Sequence, residues 1–394
     1  LTAAQPAERR LIVLLSVGAF GSAASLRVTD AQLPALAQTF DIGLAGAAQA
    51  ITVFSVAYGL MQLLYGPLGD RHGKWRVIAL AVAGASVASA LCALAAGFGA
   101  LLAARALAGG FCAAIIPLAM AWIGDAVAYE RRQPVLARFL TGQILGMALG
   151  QWAGGLAADL DLWRLPFALL ALWFACAAVL LWRARAAAAA LAPPAARGGH
   201  PLREIAYVLR QRCARVVLAV VFVEGMVFFG PLAFLPTHLH LARGLSLAEA
   251  GAVVTLYAAG GLLFAFAAAP LLRRLGEAGL ARGGGALIAA GLLLVAWSPV
   301  WWTAPLACLL AGAGFYMLHN TLQINATQMA PQARGAAVSL FASLFFLGQT
   351  AGVALAAASA QRAGTASILA AGALATLVVG LAFAALRERQ VAVS

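Results

Sequence analysis

Residues 66–76 read Gly66-Pro67-Leu68-Gly69-Asp70-Arg71-His72-Gly73-Lys74-Trp75-Arg76, a short charged turn between two apolar runs at 45–67 and 77–97. Each flanking run reaches the ~20 residues that carry a helix across the hydrocarbon core of a bilayer. A turn this short makes them antiparallel neighbours. The same alternation continues outward in both directions. Runs near 11–32, 99–124, 139–158 and 165–182 complete a first set of six, and runs near 215–236, 247–272, 283–301, 303–327, 335–359 and 365–386 form a second. The runs are continuously apolar, whereas the strands of a membrane barrel alternate, so helices are expected. Ala and Gly fill many of them, as in helices that pack closely within lipid.

Composition supports the same reading. Of 394 residues, 64% are apolar and 10% charged, with a mean hydropathy of +0.93. A soluble domain is about half apolar and about a quarter charged. No soluble core hides this much apolar surface, so lipid is the solvent for most of the chain. A cytosolic enzyme, a secreted disulfide scaffold and a disordered tail are excluded. The first run is long and followed by equals, so it is read as a retained span and not as a cleaved signal peptide. The five cysteines, Cys92, Cys112, Cys176, Cys213 and Cys308, are scattered without a CxxC and are expected to be buried thiols, with neither disulfide nor zinc site.

The formal charge is +13. In a soluble protein this excess would suggest a nucleic-acid partner; here the basic residues cluster in short segments between runs, and no nucleic acid is expected. With the N-terminus inside, all of the 26 Lys and Arg fall in inside segments except Arg27, Arg105, Arg164, Arg243 and Arg362. Arg27 and Arg105 lie within spans. The positive-inside rule then gives an even number of spans with both termini cytoplasmic, in a bacterial inner membrane.

The longest connection, 183–214, holds Pro193, Pro194, Gly198 and Gly199 and a basic stretch from Arg203 to Arg215. Residues 202–212 are expected to form an amphipathic surface helix. The linker divides the chain into 1–182 and 215–394, six spans each. Motifs recur between the halves. Gly142-Gln143-x-x-Gly146 returns as Gly348-Gln349-x-x-Gly352 at an offset of 206, Gly110-Phe111 as Gly314-Phe315 at 204, and Pro67, Arg71 and Gly73 as Pro270, Arg274 and Gly276 at 203. The expected fold is therefore all-α: twelve transmembrane helices in two pseudo-symmetric six-helix bundles, with a ligand cavity between them.

The 66–76 loop resembles the G-x-x-x-D-R-x-G-R/K motif of the major facilitator superfamily, which follows the second of twelve spans. In that family the loop latches the two halves on the cytoplasmic side, with an acidic residue from the end of span four. The resemblance assigns Gly66, Asp70, Arg71, Gly73, Lys74 and Asp125 to such a latch and implies a monomeric unit. Gly69 and Gly73 permit a tight turn and close helix approach, while Asp70 is expected to face Arg71 or a helix N-terminus. Arg105-x-x-x-Gly109 resembles the R-x-x-Q-G motif of proton-coupled members, with Ala108 in place of Gln. Gly146-x-x-x-Gly150-Gln151-x-x-Gly154-Gly155 resembles the G-x-x-x-G-P-x-x-G-G motif of drug:proton antiporters. Its small-residue spacing is intact, and Gln151 stands where the motif has proline, which removes a kink. Trp163-Arg164-x-x-Phe167 looks like the start of span six in such exporters.

Ionisable groups inside spans are few, and such groups are functional candidates by default. Arg27 and Asp30 are three residues apart on one helical face. Counting ~1.5 Å per residue puts Arg27 about 24 Å deep and Arg105 about 9 Å inside the outer surface, so Arg27, Asp30 and Arg105 are expected near one level. Glu224 lies about 12 Å into span seven, close to the midplane. A carboxylate there keeps its proton when dry and releases it when wet or beside an arginine. Asp30 and Glu224 are thus the proton-coupling candidates. Arg27, Arg105, His319 and Gln323 are the substrate or charge-pair candidates, His319 and Gln323 sharing a face of span ten with Asn320, Asn325 and Gln328 nearby. Phe228, Phe229, Tyr257 and Phe315 are candidate cavity aromatics.

The leading expectation is a secondary transporter working by alternating access, exporting a small organic compound in exchange for protons. It is not expected to be an enzyme, because no motif supports His319 and Glu224 as a catalytic pair, and no cofactor is expected. No metal is expected either, because no second His or carboxylate lies near His319 in sequence. No G-x-x-x-x-G-K-[ST] phosphate loop is present, so ATP does not drive it directly. The first alternative is a symporter or facilitator for an organic anion or siderophore-like solute, suggested by the two intramembrane arginines. The more distant alternative is a membrane-embedded enzyme or sensor.

Overall fold

A computed structural model describes residues 6–191 and 201–393, and among them the regular structure is helical with no strand. The first helices are α1 (Pro6–Arg27), α2 (Gln49–His72), α3 (Lys74–Ala93), α4 (Phe98–Ala126), α5 (Tyr129–Asp159), α6 (Leu165–Arg183) and α7 (Arg212–Arg243). The following stretch, Leu247–Trp297, has 51 residues. As a straight helix it would be on the order of 75 Å long, over twice the ~30 Å hydrocarbon core. It folds instead at Gly276, φ 64°, into α8 (247–275) and α9 (277–297). Helix α10 is Ala304–Gln328. Arg334–Val393 breaks likewise at Gly364, φ 74°, into α11 (334–363) and α12 (365–393). Ten segments of the described chain are long and apolar enough to cross a membrane. Leu247–Trp297 counts once among them, and α5, which carries Arg131, Arg132 and Arg138 in its first turns, falls outside them.

Close backbone contacts repeat along the chain. A Cβ on Gly146 of α5 would lie 2.2 Å from the Phe20 carbonyl oxygen of α1, and one on Gly352 of α11 would lie 2.1 Å from the Met226 carbonyl oxygen of α7. Both members of the second pair sit 206 residues beyond the first. Gly109 of α4 meets Phe54 of α2 in the same manner as Gly312 of α10 meets Tyr257 of α8, and this offset is 203. Gly73 and Gly276, also 203 apart, both turn with positive φ, 86° and 64°. The recurrence of Gly110-Phe111 as Gly314-Phe315 at 204 is corrected by these contacts. Gly109 and Gly312 make the equivalent backbone contacts, which leaves Gly110 opposite Ala313, while Gly314 meets the backbone of Gly284 instead.

The halves meet where α5 packs on α8 and α2 on α11. Gly155 would place a Cβ 2.1 Å from the Leu247 carbonyl oxygen, and Gly59 one 3.1 Å from that of Ser343. The Asp159 side chain, at the end of α5, accepts backbone N–H groups from the first turn of α8. Gln349 reaches the Ser55 hydroxyl at 3.4 Å.

In the linker, Pro193, Pro194, Arg197, Gly198 and Gly199 lie outside the described residues. A helix runs Pro201–Arg210, two residues short of the expected end, because Gln211 is extended (φ −72°, ψ 124°). Its Val208 is buried in the second half's core and the Tyr207 hydroxyl bonds Gln332. Cys92, Cys112 and Cys308 are buried as expected, but Cys176 and Cys213 are exposed. An apolar run offers a thiol a lipid-facing surface as readily as a core, which sequence alone does not separate.

Candidate functional site

Two buried polar groups, one from each half, are linked by a run of aromatic contacts. In the first half, α1 ends at Arg27, a cation favoured by the helix C-terminus, and the chain passes directly into a tight turn, Asp30–Gln32. Arg27 Nη1 donates to Asp30 Oδ2 at 3.1 Å, both side chains buried. Gln32 Nε2 pins the turn by donating to the Trp163 carbonyl at 3.1 Å. Arg105 on α4 is 0% exposed. Its Nε donates to the Ala50 carbonyl (3.2 Å) and its Nη1 to the Ser25 carbonyl (2.9 Å), and its guanidinium lies 4.2 Å over the Phe54 ring. Arg105 therefore sits at the level of Ser25, two residues before Arg27, and ties α4 to α1 and α2.

In the second half, Glu224 on α7 is 0% exposed. Its Oε2 lies 2.9 Å from His319 Nδ1 on α10, and its Oε1 is buried without a hydrogen-bond partner. Aromatic rings wall this pair. His319 lies 5.0 Å from Phe315 at an interplanar angle of 19°, and 4.8 Å from Phe345. Phe315 stacks on Phe228 at 4.6 Å and 9°. Phe229 sets its edge to both Phe315 and Phe345, and the Arg27 guanidinium lies 4.4 Å over the Phe229 ring. A continuous path of contacts thus runs from Asp30 through Arg27, Phe229 and Phe345 to His319 and Glu224. Each desolvated aromatic or cation–π contact on it contributes about 0.5–2 kcal/mol.

The remaining sequence candidates fall elsewhere. Gln323 is exposed, so it does not join His319 at the buried pair. Asn325, on the same helix, donates to Glu277 at 3.1 Å. In the 66–76 loop, Lys74 lies between two carboxylates, 3.5 Å from Asp70 and ion-paired with Asp125. Asp70 thus faces Lys74, four residues on across the Gly73 turn and itself the first residue of α3. Both ion pairs join helices of the first half. Gly66 lies toward the second, where an added Cβ would be 3.9 Å from the Ser339 hydroxyl. Of the four packing glycines, Gly146, Gly150 and Gly154 face α1, while Gly155 faces α8. The second half repeats the loop with inverted charge: Glu277, 203 residues after Lys74, pairs with Arg387 at 2.7 Å.

Sequence reading missed Asp159 and His238. Asp159 ends α5, where a helix dipole disfavours a carboxylate, and that misfit was the available signal for an outside partner. His238 is buried, with Nδ1 2.8 Å from the Thr365 hydroxyl and Nε2 3.3 Å from the Val295 carbonyl. It ties the end of α7 to α9 and α12.

Comparison with known proteins places the architecture. The model of the Major Facilitator Superfamily matches residues 15–352. YceJ, an uncharacterized MFS-type transporter of Bacillus subtilis (strain 168), is 26% identical over 341 residues, covering 82% of each chain. The puromycin resistance protein pur8 of Streptomyces alboniger is 34% identical over 155 residues, 37% of this chain and 30% of its own. A probable actinorhodin transporter of Streptomyces coelicolor is 34% identical over 124 residues, 30% of this chain and 22% of its own. Among solved structures, a POT family transporter in complex with a thioalcohol-conjugated peptide superposes with a TM-score of 0.78 at 14% identity, covering 97% of this chain and 96% of that one. The nucleoside transporter NupG gives 0.75 at 14%, covering 98% and 100%. At these identities the solved structures bear on the fold alone.

Proposed function

We propose a function from one premise: the chain belongs to the Major Facilitator Superfamily and is a multi-pass membrane transporter, not an enzyme. On this reading it is a secondary transporter of the bacterial inner membrane that exports a small organic compound in exchange for protons. Both termini face the cytoplasm, as the distribution of Arg and Lys favours. Two six-helix bundles, 1–182 and 215–394, rock about the cavity between them.

The observation that carries the reading is the Glu224–His319 pair, 2.9 Å apart, with the carboxyl fully buried. A carboxylate buried without water is costly unless it is protonated or paired. In one state of the cycle Glu224 holds a proton or shares one with His319; in the other, access of water releases it. Asp30, paired with Arg27, is the second proton-handling candidate. Efflux relatives, a puromycin resistance protein and a probable actinorhodin transporter, favour export of an organic compound. Gly66, Asp70, Arg71, Gly73, Lys74 and Asp125 serve the latch, which closes across the halves in the opposite conformation.

The test is proton-coupled transport in proteoliposomes. Dissipating the pH gradient is expected to stop uphill transport by the wild type. Glu224→Gln is expected to keep expression and exchange of substrate down its gradient, and to lose gradient-driven accumulation. Full coupling in Glu224→Gln would overturn the assignment.

A further inference from the structure

The helix Pro201–Arg210 stands directly before α7, with only Gln211 between them. A helix tethered this closely to the first residue of a span lies at the bilayer surface. One side of it is held by the protein. Val208 is buried in the second half's core, Ile205 packs against the same core, and the Tyr207 hydroxyl bonds Gln332 in the turn that leads into α11. The apolar arc of the helix is wider than that contact. Leu202, Ala206 and Leu209 follow at intervals of four and three, which sets them on one face. All three are exposed, Leu202 at 70% and Leu209 at 44%. A row of uncovered leucines on a helix already docked by its other side marks an interaction surface.

Charge decides what covers it. Arg203 and Arg210, seven residues apart, run along the edge of the stripe, and both are exposed. Arg212 and Arg215 add two more exposed guanidiniums on the first turn of α7. From 201 to 215 these four arginines stand against one carboxylate, Glu204, and none of them is ion-paired among the described residues. A second copy of this surface would bring like charges together, which is unfavourable. An anionic lipid surface satisfies both features at once. The leucines enter the boundary between headgroups and acyl chains, and the arginines at the border of the stripe reach the phosphate oxygens.

We infer that the Leu202–Ala206–Leu209 face binds anionic phospholipid, with Arg203 and Arg210 holding the headgroup phosphate and Arg212 and Arg215 adding to the local positive field. The site needs α7 to cross the bilayer and nothing from the proton reading, so the two stand or fall separately. The lipid also gains a hold on the moving helices. The opposite side of the same short helix is bonded to the turn before α11, and α11 is a helix that meets α2 across the halves.

The experiment places one copy of the full chain in each nanodisc. An environment-sensitive fluorophore is attached at Ala206→Cys, with the exposed Cys176 and Cys213 replaced by serine and the buried thiols left in place. Discs of phosphatidylcholine alone are compared with discs of rising phosphatidylglycerol content. The label is expected to shift to the blue as phosphatidylglycerol is added, and to be quenched by acyl chains spin-labelled near the headgroup. High salt is expected to weaken the shift. Each of Arg203→Gln and Arg210→Gln is expected to raise the phosphatidylglycerol content needed for half of the shift by about fivefold, the effect of one arginine at an anionic surface. The double variant is expected to lose the shift. Native mass spectrometry of the unlabelled wild type gives an independent reading: phosphatidylglycerol is expected to stay bound in preference to phosphatidylcholine, and the preference to fall in the double variant. The proposal is overturned if the label stays in a polar setting in every disc, which leaves the face free for a protein partner. It is overturned equally if the label is as well buried without phosphatidylglycerol, or if the arginine variants respond as the wild type does.

Discussion

The carboxylate of Asp159 accepts the backbone N–H of Leu247 at 2.8 Å, and its other oxygen accepts that of Ala248 at 2.7 Å. The last residue of a helix in one half thus caps the first turn of a helix in the other. Ser246 and Glu249 form a capping box at the same turn, so Asp159 satisfies donors that the box leaves over. A bond that joins the two halves is expected to be lost if they part at this end.

Asp159→Ala is therefore expected to shift the conformational equilibrium away from closure at this end. An anionic cap contributes about 1–2 kcal/mol, a change of about 5–30-fold in population. Spin labels at the exposed Leu160 and Leu241, in a background without the native cysteines, would report a longer distance in the variant. Asp159→Asn keeps one acceptor and is expected to fall between. Identical distance distributions in all three would count against the cap as a conformational element.

Gly154 and Gly155 give opposite expectations although they are adjacent. A Cβ on Gly154 would lie 2.0 Å from the Val28 carbonyl oxygen within the first half, whereas one on Gly155 would lie 2.1 Å from the Leu247 carbonyl oxygen of the other half. Gly154→Ala is expected to lower thermal stability by about 1–3 kcal/mol, the cost of overpacking. Gly155→Ala is expected to keep stability and slow transport, because the halves can separate to relieve the clash. Thermal unfolding and initial transport rates distinguish them.

Arg105 holds two carbonyls and a ring at once. Lysine keeps the charge without the planar fork, so Arg105→Lys is expected to lose stability of the order of one charged hydrogen bond, about 1.5–3 kcal/mol. The order of preference among transported compounds is expected to stay as in the wild type. A reordered preference, measured by competition, would move Arg105 from framework to substrate contact.

Lys74 and its two carboxylates are partly exposed, and exposed pairs contribute about 0.2–1 kcal/mol. Asp70→Ala is expected to leave thermal stability within that margin, to slow turnover several-fold, and to keep the substrate range. Unchanged turnover in proteoliposomes would argue against a role in cycling.

How much of this was legible in the sequence depends on distance along the chain. Local signals read well: the long apolar runs, the Asp70–Lys74 turn, the Arg27–Asp30 spacing and the 206-residue recurrence of Gly146 as Gly352 all depend on neighbours or on identity at a fixed offset. The pairing of Glu224 with His319 did not, since helices 95 residues apart meet by tertiary packing that periodicity does not encode. Gln323 stands apart from that pair for a related reason. Four residues from His319 on one helix, it shares a face in projection, yet the neighbouring helices cover His319 and leave Gln323 exposed.

The glycine contacts repeat faithfully between the halves, and the buried ionisable groups do not. Arginines and Asp30 belong to one side, the Glu224–His319 couple to the other. Selection on this chain therefore acts on a copied skeleton carrying two unlike cargoes. Hybrids that join its first 182 residues to the trailing portion of a relative would test this division directly, because they part the Arg27–Asp30 pair from the Glu224–His319 couple.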